Sequence, residues 1–540
     1  MGGHRQPWGP ALALLAALWA GAGVAAAPPA EALAVATRPV AAGRTASDLP
    51  PDWKHGAFAE IFVRGYRDSD GDGIGDLRGL TASLDHLQSL GVRGIWLMPV
   101  TASGDHDHGY AVADFRAIEP AYGTLADFDV LLREAHARGI GVIMDYVINH
   151  AADASLVFQA SRERGSPYRA WFRWEDAAPA GWEIYERNPW EADGEAGHYL
   201  AQFSRHMPDF NMLSPAVVAW HEDNLRFWLN RGVDGFRFDA VPHLVEHGPK
   251  AWYDQPEDRP LMARFRAVVQ GYDNRYIVCE ATGNEVLYGA ACGGAFAIWQ
   301  APRMIKAAGG DVASIRNVAN YYLGTPSYMA MMLSNHDGFA GRRLWDQVGG
   351  DLAKYKLAAA TYLLMPGTPF IFYGEEIGMA GAPGLSGDRE LRIPMSWDGA
   401  APNAGFGAAT PFRPLASNAA TQSVAAESAR PDGILAWYRT LLGLRNAHPS
   451  LLRGGYDAPT VQGRAFAFQR REGAEHALVM INYDTRPGVL KLRRLASGEW
   501  RAALPVDAAK DLQVGADGEA RIELPAQSVR VLINAPAANR

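Results

Sequence analysis

Four apolar runs in this chain end in carboxylates or imidazoles. The first closes on Asp145, Asn149 and His150, and the second carries Arg237, Asp239 and, further on, His243. The third closes on Glu280, and the fourth on Asn335, His336 and Asp337. Any one of these acids alone could cap a helix or close a salt bridge. Gathered at one site, they suit hydrolysis of a glycosidic bond. There one carboxylate attacks the anomeric carbon and a second carboxyl group protonates the leaving oxygen. Arg237 precedes Asp239 by two residues, and strand alternation puts both side chains on one face. The guanidinium should hold Asp239 ionised, as a nucleophile requires. Glu280 follows the apolar run Tyr276–Cys279, where partial burial and neighbouring acids would raise its pKa as an acid catalyst needs. Asp337 adds a third acid, able to bind sugar hydroxyls and stabilise positive charge. His150 and His336 can donate hydrogen bonds to the same ring.

These residues meet only if the runs carrying them belong to one framework. Candidate strands are Glu60–Arg64, Gly94–Val100, Gly141–Val147, Gly235–Ala240, Tyr276–Ala281, Ala330–Asn335 and Pro369–Tyr373, with one more placed within Ala295–Gln300. Short apolar runs suit strands buried on both faces of a parallel sheet. Helical patterns alternate with them, as in Leu80–Leu90, Leu125–Arg138 and Ala216–Asn230. Thr124 and Ser214 read as N-caps, and Gly91, Gly139 and Gly232 as helix stops. This alternation predicts an α/β fold, a (β/α)8 TIM barrel over residues 51–449, with its chemistry at the C-terminal ends of the strands. From about 150 to 213 the rhythm breaks into an aromatic stretch, read as a subdomain inserted after strand 3. Alternating segments such as Ala465–Gln469, Ala477–Ile481, Arg521–Leu524 and Val529–Ile533 predict a C-terminal antiparallel β domain over 450–540.

The four segments resemble the signature regions of the α-amylase family of glycoside hydrolases (glycoside hydrolase family 13), in the family's order and over roughly residues 52–535. The resemblance implies that Asp239 is the nucleophile, Glu280 the general acid/base and Asp337 the transition-state stabiliser. It makes Arg237, His150 and His336 contacts of the innermost sugar, Tyr110 the stacking tyrosine after the second strand, and Asp145 a structural support. The mechanism implied is retaining, with carboxyl groups about 5–5.5 Å apart. The segment Met207–Asn211 resembles the family's additional signature in the inserted subdomain. Its Met-Pro-Asp opening is similar to the group between oligo-1,6-glucosidases and neopullulanases, with Phe210 where Leu is usual. That group consists mostly of α-amylases, with exo-glucosidases, trehalose synthases and other transglycosylases nearby. Pro242-His243 differs from the Lys-His pair of animal and bacillar α-amylases, which weakens transfer of their calcium site.

A different loop is the calcium candidate. Asp68, Asp70, Asp72 and Asp76 alternate around glycines, with the Ile74 carbonyl between them, a spacing that can wrap a hard cation. The twelfth position, acidic in an EF-hand, is Gly79 here, so the loop is not a complete EF-hand. Many oligo-1,6-glucosidase-like relatives bind Ca2+ at this loop. His106, Asp107 and His108 read as a substrate-lining loop rather than a transition-metal site, because a His-rich triplet alone lacks a ligand framework. Tyr168, Trp171, Phe172, Trp174, Trp182 and Trp190 are candidates for sugar subsites, half or more of them for the core of the inserted subdomain. Cys279 and Cys292 either pair or leave Cys279 a buried thiol.

Composition narrows the alternatives. At 540 residues the chain exceeds the size of one hydrophobic core, so more than one domain is expected. With 51 basic and 59 acidic residues the net charge is −8, which argues against nucleic acid as a partner. Two cysteines exclude a disulfide scaffold. His4 and Arg5, the apolar run Ala11–Ala22 and the small residues Val24–Ala27 read as a signal peptide over 1–27. Residues 28–50, rich in Ala and Pro, read as a flexible leader. No other segment is long and apolar enough to span a membrane. The expectation is a secreted or periplasmic monomer acting on α-glucan or maltooligosaccharide. It would be an α-amylase cleaving α-1,4 bonds in starch or, as the alternative, an exo-acting α-glucosidase or transglycosylase on short α-glucosides. A non-catalytic sugar-binding barrel would be expected to lose the acids that are present here.

Overall fold

The short apolar runs pair side by side as parallel strands. The computed structural model describes residues 29–43, 46–505 and 510–534. Eight barrel strands lie among them: β1 Phe58–Ile61, β2 Gly94–Leu97, β3 Gly141–Tyr146, β4 Gly235–Phe238, β5 Tyr276–Cys279, β6 Ala295–Phe296, β7 Met329–Ala330 and β8 Phe370–Phe372. Their order is β7-β6-β5-β4-β3-β2-β1-β8. A parallel bridge between Met331 and Pro369 closes the ring. The interior is a packed core, as in barrels generally, filled here by Trp53, Phe58, Trp96, Ile143, Phe296 and Phe370. This plug explains two strand-initial glycines. A Cβ on Gly94 would lie 2.3 Å from the Phe58 ring, and one on Gly141 would lie 2.3 Å from the Trp53 ring.

The helices start and stop where local chemistry directs. Leu125–Ala137 opens on a reciprocal capping box between Thr124 and Asp127. Pro215–Arg231 ends at Gly232 in the left-handed region; Ser214 holds its N-cap position without a side-chain bond. The pattern Leu80–Leu90 resolves into two helices, Leu77–Ala82 and Leu84–Leu90, broken at Ser83. The Ser83 hydroxyl donates back to the Gly79 carbonyl at 2.8 Å, the back-bonding that bends helices.

The insert after β3 carries a three-stranded antiparallel sheet made of Trp174–Glu175, Trp190–Ala192 and His198–Leu200. Trp171, Phe172, Trp182 and Trp190 are buried, and Tyr168 and Trp174 pack against the core. These six aromatics are therefore structural, and none of them lines the catalytic cavity. Phe210 stacks on Phe172 with centroids 4.9 Å apart and also meets Phe115 and Trp220. An aromatic ring in place of Leu completes that cluster.

The signal peptide reading, 1–27, lies outside the described residues. The described part of the segment after it, residues 29–43 and 46–50, corrects the flexible-leader reading given for 28–50. Ala30–Ala36 is a helix, and Leu33 packs against the core. Trp220 Nε1 donates to the Ala36 carbonyl at 3.0 Å, Arg116 to that of Arg38 at 2.8 Å and Asn230 to that of Ala41 at 2.9 Å. The Ala-rich composition that suggested a linker also favours helix.

Past the barrel, the helix Pro449–Arg453 leads into strands β9 Gly455–Gln462, β10 Ala465–Glu472, β11 Glu475–Asn482, β12 Gly488–Leu492, β13 Gly498–Leu504, β14 Leu512–Val514, β15 Ala520–Leu524 and β16 Ser528–Asn534. They form a sheet ordered β9-β10-β11-β16-β13-β14 and an antiparallel β12–β15 pair around Trp500. Among the described residues no helix is long and apolar enough to cross a membrane.

Candidate active site

The barrel register brings the acids together. Asp145 on β3 is the direct neighbour of Arg237 on β4. Asp239 lies one residue past β4, Glu280 one residue past β5, and His336 and Asp337 follow β7. Arg237 is the hub, with a side chain 1% exposed. Its Nη1 reaches Asp145 Oδ1 at 2.7 Å and Asp239 Oδ1 at 2.6 Å, and its Nη2 reaches Glu280 Oε2 at 2.5 Å. The Ala240 backbone N–H also donates to Glu280 Oε2 at 3.2 Å. Asp145 accepts from Tyr110 Oη at 2.9 Å and from Trp96 Nε1 at 3.2 Å, bonds that suit a supporting role.

Burial raises the Asp239 carboxyl to about 6 against the pull of Arg237. Burial raises Glu280 further, to about 7, with the charges of Asp239 and Asp337 adding to it. The two groups thus separate in the order that a nucleophile and an acid require. Arg237 pulls Asp239 toward the ionised form as expected, but desolvation outweighs it and leaves the carboxyl above its ordinary value. Burial would also raise Asp337, but the charges of His336, Arg392 and Arg237 hold it well below the carboxylate range.

His336 sits between carboxylates. Its Nδ1 is 2.6 Å from Glu60 Oε1 and its Nε2 is 3.1 Å from Asp337 Oδ2. Although burial opposes it, Asp337 and Glu60 raise this imidazole to about 10, so it is an imidazolium at neutral pH. Tyr110 stacks on it at 5.5 Å between centroids, with Oη 2.6 Å from Nε2. His150 differs. Burial lowers it to about 4, and its Nε2–H donates to the Tyr110 carbonyl at 3.1 Å. It lines the cavity, but that donor is already engaged.

The cavity above these groups measures about 650 Å³. Of the predicted sugar contacts, Tyr110 and His150 line it beside Asp239, Glu280 and Asp337, whereas Arg237 and His336 are fully buried and do not reach it. Tyr185, Phe203, Trp299 and Phe339 also line it, and Trp299 and Phe339 are nearly half exposed. Arg392 spans Asp337 at 2.7 Å and Asp388 at 3.2 Å. Next to it Arg413 donates to the Arg392 carbonyl at 2.7 Å and clamps both oxygens of Asp107. Asp107 is thus an ion-pair partner, and His108 faces the cavity.

Sequence reasoning missed Glu60, Arg392, Arg413 and the exposed aromatics. Glu60 had a signal, a lone acid inside the apolar run Phe58–Phe62. Arg392 sits in a loop without periodicity, and only three-dimensional pairing reveals it.

In the calcium-candidate loop, carboxylate oxygens of Asp68, Asp70 and Asp76 lie within 4.8 Å of one another. Asp72 does not join that group; its Oδ1 accepts from the Ile74 N–H at 2.7 Å. Burial and then the charges of Asp72, Asp76 and Asp68 raise Asp70. Three converging hard oxygens fit a divalent cation of the calcium type. Cys279 and Cys292 form a disulfide, Cα–Cα 6.3 Å, immediately before Glu280.

A closed (β/α)8 barrel with three acids around one guanidinium at the C-terminal mouth of its strands is the frame of a glycoside hydrolase. Comparison with known proteins narrows this further. The family profile described as "Alpha amylase, catalytic domain" matches residues 60–292 and 301–454. A probable α-glucosidase of Rhizobium meliloti is 31% identical, covering 83% of this chain and 93% of its own. A trehalose synthase/amylase of Mycolicibacterium smegmatis is 32% identical, covering 86% and 89%. The crystal structure of an α-amylase from H. orenii superposes with a TM-score of 0.78 at 32% identity, covering 89% of this chain and 99% of that one. The chain belongs to the α-amylase family of glycoside hydrolases.

Proposed function

We propose that the protein is a retaining α-glucosidase that cleaves short α-glucosides from the non-reducing end and can pass the glucosyl unit to a sugar acceptor. The α-amylase reading thereby becomes the second one. The observation that carries this order is the Arg392 bridge to Asp337 and Asp388, backed by the Arg413–Asp107 clamp. A longer donor chain would have to pass these ion pairs, whose arginines are buried, whereas a single terminal ring does not. Similarity to an α-glucosidase and a trehalose synthase/amylase supports the same order.

The steps follow from the geometry. Glu280 gives its proton to the glycosidic oxygen as Asp239 attacks the anomeric carbon, forming a glucosyl ester and releasing the leaving sugar. The carboxylate of Glu280 then takes a proton from water or from an acceptor hydroxyl, and that oxygen displaces Asp239. Both carboxylates bond one guanidinium, which suits the close spacing of retaining enzymes. Asp337 binds hydroxyls of the reacting ring and offsets its developing positive charge, while the fully buried His336 imidazolium holds Asp337 in place from beneath. Trp299 and Phe339 offer flat faces on which an acceptor sugar can displace water.

The test is a time course of products from maltoheptaose. Glucose released singly, or products longer than the substrate, is expected. Early mixed maltose to maltotetraose would replace this reading with an endo-acting α-amylase.

Two further readings belong here. Ca2+ held by Asp68, Asp70 and Asp76 would act structurally, tying the loop after β1 to the helix that Asp76 caps. Export through residues 1–27 gains support from the Cys279–Cys292 bond, because such bonds persist in oxidising compartments.

A further inference from the structure

A second cavity, of about 330 Å³, lies at the opposite end of the barrel. Residues that precede strands form its walls: Lys54 and His55 before β1, Gly293 before β6, Tyr328 before β7 and Thr368 before β8. The C-terminal β domain closes it with Leu452–Gly454 and Arg470.

Its charge is one-sided. Lys54, His55, Arg266, Arg275, Arg453 and Arg470 all line it, and no Asp or Glu does, although the chain as a whole carries an excess of acid. The cations are poorly neutralised. Arg470 is fully buried, and its guanidinium meets only carbonyl oxygens, those of Leu364, Gly454 and Gly455. Arg275, with a side chain 4% exposed, reaches Asp234 only at 3.5 Å, and its Nε has no partner. Lys54 and Arg266 form no ion pair among the described residues. Arg453 pairs with Glu472 at the exposed rim, at 2.8 Å. The crowding registers on His55, which burial and then Lys54, Arg445 and Arg453 push below its ordinary value.

Cations confined around a shared space repel one another, and in a protein interior that repulsion is weakly screened. An oxyanion in the space would reverse the sign of each interaction. Guanidinium forks match tetrahedral oxyanions with two parallel hydrogen bonds. Tyr276, Ile277 and Tyr328 supply apolar wall for an organic group. We propose that this cavity binds a phosphate-class oxyanion, free or as a phosphate monoester, at the junction of barrel and β domain. The site is separate from the catalytic cavity and shares no lining residue with it.

The experiment is a calorimetric titration of the intact protein at constant ionic strength, with inorganic phosphate in one arm and glucose 6-phosphate in the other. Saturable one-to-one binding is expected. It should weaken tenfold or more in the double variant Lys54→Gln, Arg266→Gln and persist in Arg493→Gln, a control on the β domain. Hydrolysis of p-nitrophenyl α-glucoside should stay unchanged in both. Tighter binding of inorganic phosphate would identify the free ion, and tighter binding of the ester a phosphorylated metabolite. Arg453→Gln, at the exposed rim, replaces the double variant if that does not fold, with weaker binding again expected. No saturable binding of either probe, equal affinity for chloride, or unchanged binding in the cavity variants would overturn the proposal.

Discussion

One guanidinium organises the chemistry, and this sets the sharpest prediction at the level of single residues. Arg237 bonds Asp145, Asp239 and Glu280 at once. Glu280→Gln keeps an oxygen for that bond but has no proton to give. It should fold normally and lose about 10²–10⁴-fold in kcat on unactivated α-glucosides. The pH profile has a defined sign. Asp239 must be ionised and Glu280 protonated, so kcat/KM of the wild type should fall as pH drops below about 6 or rises above about 7. On an activated substrate Glu280→Gln should lose the alkaline limb and keep the acid one; an alkaline limb that persists would take Glu280 out of the acid role. At this scale the acids that gather around Arg237 were legible in the sequence, because each follows an apolar run. Arg392 was not, because pairing across the barrel defines it and its neighbours in sequence do not; Glu60 stood out only as a lone acid in an apolar run, with nothing to show its partner His336.

Among the elements, the loop Asp68–Asp76 carries the clearest test. If Asp68, Asp70 and Asp76 hold calcium, the ion at a hundredfold its Kd adds about 2.7 kcal/mol to the stability of the folded state. Asp70→Asn should abolish the rise in melting temperature on adding calcium. Asp72→Asn should preserve most of it, since Asp72 stands outside the converging group. A wild-type melting temperature indifferent to both calcium and chelator would mean an acidic turn without metal. The sequence showed the alternating acids but not which of them converge, since that depends on backbone N–H groups competing for the same oxygens. Helix boundaries followed the same logic. Thr124 was readable because its partner Asp127 is three residues away. The break at Ser83 was hidden because leucines continue on both sides of it.

For the whole molecule, the barrel with its insert and terminal β domain was legible from alternation and from where the pattern changes. The docked segment ahead of the barrel was not, since its composition reads equally as linker or helix. Export carries a direct prediction. N-terminal sequencing of the protein recovered outside the producing cell should begin near Pro28, and a chain beginning at Met1 would sink the signal reading. The same disulfide that supports export encloses Glu280 in a short covalent loop between Cys279 and Cys292. The sequence left that pairing open because proximity in space has no local signature.

The docked segment also decides where the chain can usefully be shortened. A chain begun at Pro51, the start of the barrel by pattern alone, would strip the carbonyl partners from Trp220, Arg116 and Asn230. Trp220 packs against Trp171 and Phe210, so the exposed side would reach into the insert that shapes the catalytic mouth. A tag joined directly to Ala30 would crowd the same contact, so a shortened chain keeps its activity best when the cut falls ahead of that helix.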